Sequence, residues 1–427
     1  MKNSGATNEE AMQRWANAYG ALILPIRESI DESAKTLQQN EQRVLEGVMV
    51  TQIQRDCYLV RCLARSVETK PKIAKDGFCS AYQPTFPSFL ALLTTYFTTI
   101  KKTAMSSSGA SPRARSQGKN ALKVVNEIVR LYAQLLKSIR KEMQKETVAE
   151  IMRIFVEIFS DAQLTAVLNN QGTPGVMVLC GFLQLLKIVV EEPTSVFSSF
   201  IQNILDLCYG PLKESIFSHA QSEAHILGYF VALVEQLLEK HYRFFVSLAI
   251  SPSGQRERNF SSDVAHTYFV SIFQSLAAIL TREGIGAATG QGAEQESLSP
   301  RLCRQVLALL DRIDKAHSLF AFTGFQSEIR LGFLSTLMNI LTKGEMNLLQ
   351  EEIIGLIHRL AGVDFQSFYQ VFLPTYTKGI LSPQKLELAG SFGDNQCLQW
   401  SGQVDLPTFT SDVHGFLNDL RLLKAHA

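Results

Sequence analysis

The sequence predicts an all-α fold, an α-solenoid (α-α superhelix) of HEAT/armadillo-like helical repeats. Three observations lead there. Apolar residues recur with helical period along almost the whole chain. Gly and Pro fall between those runs and leave helices of about 12–20 residues. Taken two at a time, the helices make a unit of roughly 40 residues, the period of HEAT and armadillo arrays. The 427 residues thus suffice for about nine or ten repeats.

Residues 1–102 read as N-terminal helical repeats. Residues 103–119 read as a basic Ser/Gly linker with one Pro and no acid. Helical repeats resume over 120–283. Leu122, Val125, Ile128, Val129, Tyr132, Leu135, Leu136 and Ile139 form one stripe; Val148, Ile151, Met152, Phe155 and Ile158 form the next. Gly172, Pro174 and Gly175 break the chain before a helix over 176–190. That helix is apolar nearly all round and should lie inside a core. Gly181, Gln184 and Lys187 interrupt it, and it reads as too short to span a bilayer, so no membrane insertion is expected. Pro193 and Pro211 open further helices, and Ile226 to Leu238 continues the series.

A helix over 262–281 precedes a Gly-rich linker at 284–299, and Ser251 to Asn259 reads as a shorter surface loop. Residues 300–427 complete the array, with helices over 300–316, 325–342, 346–361 and 364–377. A terminal capping helix follows, with Leu406, Phe409, Val413, Phe416, Leu417 and Leu420 on one stripe. Asp405 stands at its N-cap position, and Pro407 lies in the first turn, where a missing N–H costs nothing. Strand character is confined to Leu386–Phe392 and Leu398–Val404, where a loop is expected.

Composition narrows the function classes. Apolar residues are 46% and charged residues 19%, which excludes a mainly disordered chain. A net charge of +1 gives no reason to expect nucleic acid as a partner. Phe (26) far outnumbers Trp (2), and Phe packs between helices without a polar tip to satisfy. Seven cysteines, widely spaced and without a CxxC pair, read as free and mostly buried thiols of a reducing compartment, the cytosol or nucleus.

The near-zero charge conceals two blocks. Lys101 to Lys145 holds 11 basic and 2 acidic residues; Glu146 to Lys240 holds 4 basic and 11 acidic. These are either solvated helix faces or complementary docking surfaces.

Catalytic and cofactor patterns fail one by one. Gly284, Gly286, Gly290 and Gly292 follow GxGxxxG spacing, with no preceding strand and no GK[ST], and so read as linker rather than phosphate cradle. His219, Glu223 and His225 place two histidines six apart, off the i, i+4 spacing of a helical zinc pair. No GxSxG elbow occurs. Asn259-Phe-Ser261 is a formal sequon that a cytosolic chain never presents, and Ser111-Pro112 is a candidate phosphorylation site. The expectation is a binding scaffold, with no enzyme activity, cofactor or metal.

The C-terminal third carries a resemblance. Leu348-Leu-Gln-Glu351-Glu352-Ile353 is followed by Ala361-Gly-Val-Asp364-Phe365 and Phe372-Leu-Pro374. Asp405-Leu406-Pro407-Thr-Phe409 continues to Asn418-Asp-Leu420-Arg421. Phe182 to Pro193, Val196-Phe197 and Leu207-Cys208 add an internal repeat. From about Ala121 to Leu423 the chain resembles the C-terminal part of an exportin of the importin-β (karyopherin) superfamily. The resemblance implies a nuclear export receptor that shuttles between nucleus and cytoplasm. It also implies Ran-GTP, nuclear pore proteins and a protein cargo such as profilin–actin as partners. Ran-embracing repeats lie near the N-terminus of such receptors, and this chain matches the other end. The matched residues read first as core and capping residues, and a HEAT scaffold without a transport role is the alternative.

Overall fold

The computed structural model describes residues 4–39, 46–105, 112–170, 172–192, 195–218, 224–250, 256–281, 299–344, 346–382, 398 and 400–425. The Gly-rich stretch 284–298, residues 106–111 with Ser111, and His219 to Glu223 lie outside them, as do Leu386–Phe392. The architecture is the expected all-α helical-repeat type of the solenoid class. The chain divides into two compact units, Met1–Lys240 and His241–Ala427. The division follows a helix end, in neither of the two linkers expected from composition.

The first unit contains α1 (Ser4–Gln39), α2 (Gly47–Val67), α3 (Lys72–Tyr82), α4 (Phe86–Met105), α5 (Pro112–Ile139), α6 (Lys145–Phe159), α7 (Ala162–Asn170) and α8 (Thr173–Val190). Short helices α9 (Ser195–Ser198), α10 (Ile201–Tyr209) and α11 (Lys213–Ser218) lead to α12 (Ala224–Lys240). One layer stacks α2, α5, α8 and α12; against it lie α4, then α6 and α7, then α10 and α11. Residues 112–119, expected as linker, are the first turns of α5. Pro112 opens them, because a proline at the first helical position gives up an N–H that has no helical partner anyway.

The helix expected over 176–190 starts earlier, at Thr173, and is α8. Gly172 turns into it at φ 62°, a left-handed conformation that a side chain would strain. By length and composition, α8 and the 263–281 helix of the second unit are apolar enough to cross a membrane, more than the sequence reading allowed. In this fold α8 spends that surface on α5, α7 and α12, and Val178, Phe182, Leu185, Leu186 and Val189 are buried.

Aromatic rings link the helices of this unit. Tyr19 of α1 meets Phe78 of α3 edge-on at 5.3 Å. The contacts continue through Tyr82, Phe86, Tyr132 and Phe155 to Phe159, which stacks on Phe182 of α8 at 3.7 Å. Each such pair is worth about 0.5–1.5 kcal/mol beyond the area it buries.

The second unit runs α13 (Tyr242–Phe245), β1 (Val246–Ile250), β2 (Arg256–Phe260), α14 (Asp263–Thr281), α15 (Pro300–His317), α16 (Thr323–Glu328), α17 (Arg330–Lys343) and α18 (Gln350–Ala361). It ends with α19 (Phe365–Ser367), a π-helical turn (Phe368–Phe372), α20 (Leu373–Ile380) and α21 (Leu406–Ala425). The helix expected over 364–377 is therefore not uniform. Pro374 has no N–H to give the preceding turn, and the ladder widens to π geometry just before it.

Of the loop expected at 251–259, residues 251–255 lie outside the described residues and 256–259 belong to a strand. β1 and β2 pair antiparallel, with Val246 opposite Phe260 and Leu248 opposite Arg258. Phe260 anchors this hairpin, meeting Phe322 at 5.0 Å and Phe269 at 5.4 Å. Arg258 donates from Nη1 to the carbonyls of His317 (2.6 Å) and Ser318 (3.2 Å), the negative end of α15. Pro252 and Gly254 in the sequence, between two five-residue runs, were the available signal.

Candidate functional site

The residues of the two C-terminal family-like blocks gather in the last repeats of the second unit, and most of them are structural there. Asp364 caps α19, its Oδ1 accepting from the Ser367 N–H at 2.9 Å. Asp405 does the same for α21, accepting from the Thr408 N–H at 3.0 Å. That bond to the Thr408 N–H holds the Asp405 carboxyl below the usual carboxylate range. Pro407 follows in the first turn of α21. Phe409 and Leu420 are buried on the α18-facing side, as the stripe requires. Phe365 packs against His358 at 5.4 Å and Tyr369 at 6.0 Å.

The acidic pair on α18 splits, as helical geometry dictates. Glu351 reaches His414 of α21 at 3.2 Å, and Gln350 meets the other nitrogen of that ring at 3.1 Å. Glu352 points to Arg304 of α15 at 3.3 Å. Leu348 is 86% exposed and Leu406 45%. Pro374 and Asn418 are also exposed, and Asn418 Oδ1 accepts from Arg421 at 3.5 Å.

The feature that sequence reasoning missed is a strap, residues 400–405, laid over α18, the π turn and α21. It is not a strand, in agreement with the loop expected for Leu398–Val404. Ser401 donates from both its N–H (2.9 Å) and its hydroxyl (2.6 Å) to Asp412. Gly402, at φ 71°, turns the chain. Tyr369 donates its hydroxyl to the Gln403 carbonyl at 2.7 Å. His358 Nε2 lies 2.7 Å from the Val404 carbonyl, which can only accept, so that nitrogen carries the proton. The Trp400 ring lies among Phe368, Tyr369, Phe409 and Phe416, at centroid distances of 5.4–6.0 Å. Burial, then the charges of Asp412 and Asp405, push the Tyr369 hydroxyl up to about 12. Beside the strap lies an open hollow of about 360 Å³ lined by Tyr369, Leu373, Pro374, Lys378 and Trp400.

No metal centre forms among the described residues: no three His, Cys, Asp or Glu side chains converge. His225 falls in α12 and its side chain is not among those described. Four of the described cysteines, Cys57, Cys79, Cys208 and Cys303, are buried. Burial pushes the Cys208 thiol up to about 12 and Cys303 to about 11, away from the reactive thiolate.

A family model described as exportin-6, C-terminal TPR repeats, matches residues 238–425. Over these residues the chain is similar to the C-terminal repeats of exportin-6. The match begins three residues before the second unit, so the hairpin, strap and α21 all lie inside it. Exportin-6-B of Xenopus laevis is 29% identical over 277 residues, which cover 64% of this chain and 22% of that protein. Exportin-6 of Homo sapiens is 28% identical over the same shares, and that of Dictyostelium discoideum 20% over 267 residues. The chain thus matches about a fifth of the length of these relatives. TPR and HEAT arrays are both stacks of helical pairs, so the description agrees with the repeat class read from periodicity.

Proposed function

We propose that this chain acts in nuclear export of proteins, as the C-terminal repeat portion of an exportin-type receptor. The observation that carries the reading is the coincidence of the 238–425 match with a self-contained structural unit, 241–427. A repeat array offers wide side-chain surfaces, which suits a carrier of folded cargo.

In this reading the cargo is a folded protein, profilin–actin by the resemblance, and Ran-GTP raises its affinity through linkage. Two ligands that favour the same state of an array each strengthen the other's binding by the same factor. Nuclear pore proteins complete the partner set, and the protein shuttles between nucleus and cytoplasm.

The test is capture of profilin–actin by the tagged chain, with and without GTP-locked Ran. Retention that rises with Ran-GTP is the expected result. If neither protein binds the chain, the export reading fails for it. Stable co-purification with other proteins, indifferent to Ran, favours a HEAT scaffold without a transport role.

A further inference from the structure

The first unit leaves a cationic face on two of its long helices, α2 and α5, which pack side by side. Arg61 meets Glu127 at 3.0 Å. About two turns further on, Gln134 meets Glu68 at 3.2 Å. Each of these pairs is 66 positions apart, so the helices run the same way in one register. That register sets Arg55 of α2 level with the stretch between Lys119 and Lys123 of α5. On α5 those two lysines share an outward stripe with Glu127, Arg130 and Lys137, while Val125 and Val129 face inward and are buried.

Acids are scarce on this face. α5 carries Glu127 alone and α2 carries Asp56 alone, and Asp56 is buried. Arg61 and Arg130 share Glu127, and Glu68 takes Lys137 at 2.8 Å. Lys119 and Lys123 are exposed and hold no ion pair among the described residues. Arg65 is exposed on α2. Tyr58 and Leu59 lie on the same side of that helix, 53% and 40% exposed, and the Arg61 guanidinium sits over the Tyr58 ring at 5.4 Å.

We propose that the α2–α5 face docks an acidic segment of a partner protein. Its carboxylates meet Lys119, Lys123 and Arg65, and an apolar side chain meets Tyr58 and Leu59. Complementary charge steers such a segment onto the face and fixes its register. A polypeptide fits better than a nucleic acid. Glu127 and Glu68 interrupt the cations, so a continuous phosphate chain would run over two carboxylates, whereas spaced Asp and Glu side chains avoid them. Leu59 likewise offers nothing to a phosphate. Both helices lie outside the 238–425 match, and docking here is independent of the export reading.

The test is fluorescence anisotropy of the full chain with a labelled peptide of repeating Glu-Glu-Leu units. The peptide should bind at low ionic strength and dissociate toward about 1 M salt, where the screening length is about 3 Å. A peptide of Glu-Glu-Ser units should bind more weakly, having lost the apolar contact. Lys119→Glu with Lys123→Glu should weaken binding about tenfold or more. Lys119→Gln with Lys123→Gln, the milder change should the first variant fail to fold, should weaken it by a smaller factor. Lys343→Glu with Lys378→Glu alters two exposed lysines of the second unit, changes the net charge equally, and should leave binding intact. No binding of the peptide overturns the proposal. So does an equal loss in the second-unit variant, which would make the effect one of net charge. Tighter binding of a labelled oligothymidylate, lost with the same Lys119 and Lys123 changes, overturns it in favour of a nucleic acid.

Discussion

Arg140 and Glu192 close the ends of α5 and α8 onto each other. Arg140 Nη2 lies 3.0 Å from Glu192, its Nε donates to the same oxygen at 3.2 Å, and its Nη1 donates to the Ile188 carbonyl at 2.8 Å. Both side chains are mostly buried, at 17% and 16% exposure. Arg140 comes from the basic block and Glu192 from the acidic one. Lys101 and Asp161 repeat the pattern at 2.6 Å. Part of the charge imbalance along the chain is thus spent inside the first unit, between neighbouring repeats.

Removing the Arg140 side chain should leave Glu192 and a carbonyl without their donors. Arg140→Ala is expected to destabilise the first unit by about 1.5–3 kcal/mol, the range for hydrogen bonds to charged groups. Chemical denaturation checks it. A double-mutant cycle with Glu192→Gln should return a coupling of about 0.5–3 kcal/mol. A coupling of zero would make the pair a bystander.

Gly324 sits against the anchor of the hairpin. A Cβ there would lie 2.5 Å from Phe260 Cε2 and 2.6 Å from Cζ. Gly324→Ala should cost about 1–3 kcal/mol, the usual range for overpacking. Phe260→Leu in the same chain should recover part of the loss, since the shorter side chain makes room. Thermal melts of the single and double variants decide it.

The strap predicts an alkaline response. The folded Tyr369 hydroxyl titrates near 12, above its ordinary value of 10. The folded state therefore holds this proton more tightly than the unfolded chain. The stability tied to Tyr369 is complete below pH 10 and is lost as pH climbs toward 12. Tyr369→Phe should flatten that part of the stability–pH curve. At neutral pH it should cost about 0.5–1.5 kcal/mol for the bond to Gln403. A slope between pH 10 and 12 unchanged in the variant would remove Tyr369 from the account.

Asp405 predicts the opposite sign at the other end of the scale. Its folded carboxyl is held low by the Thr408 N–H. The stability it contributes is present above the ordinary carboxylate range and is lost as pH falls through the lowered folded value. Asp405→Ala should speed amide exchange at Thr408 and Phe409 at neutral pH and remove the acid dependence there. Equal exchange in both proteins would show that the cap is dispensable.

How far the sequence carried the fold follows from the range of each interaction. α8 was legible because a helix apolar nearly all round has one use in this fold, a place between layers. α21 was legible because its stripe, its N-cap Asp405 and Pro407 are all local. The π turn was half visible: Pro374 marked a break, but the widened ladder depends on the helix continuing through it. The strap was invisible. His358, Tyr369 and Asp412 hold it from three elements, and two of them bind backbone carbonyls, which leave no mark in the residue pattern. The same holds for Arg140, whose charge was counted but whose partner lies 52 positions away. Of the matched residues, Asp364, Asp405, Phe409 and Leu420 proved to be caps and core, while Leu348, Leu406, Pro374 and Asn418 face solvent.

The chain has two tryptophans, Trp15 in α1 and Trp400 in the strap. They fall one to each unit, in different surroundings: Trp15 is 37% exposed and stacks on Tyr19 at 5.6 Å, and Trp400 lies among aromatic rings. Each unit thus carries its own fluorophore. With Trp15→Phe the remaining emission comes from the strap alone, and with Trp400→Phe it comes from α1. Unfolding of the two units can then be followed by two optical signals from the intact chain, without dissecting it and without an added label.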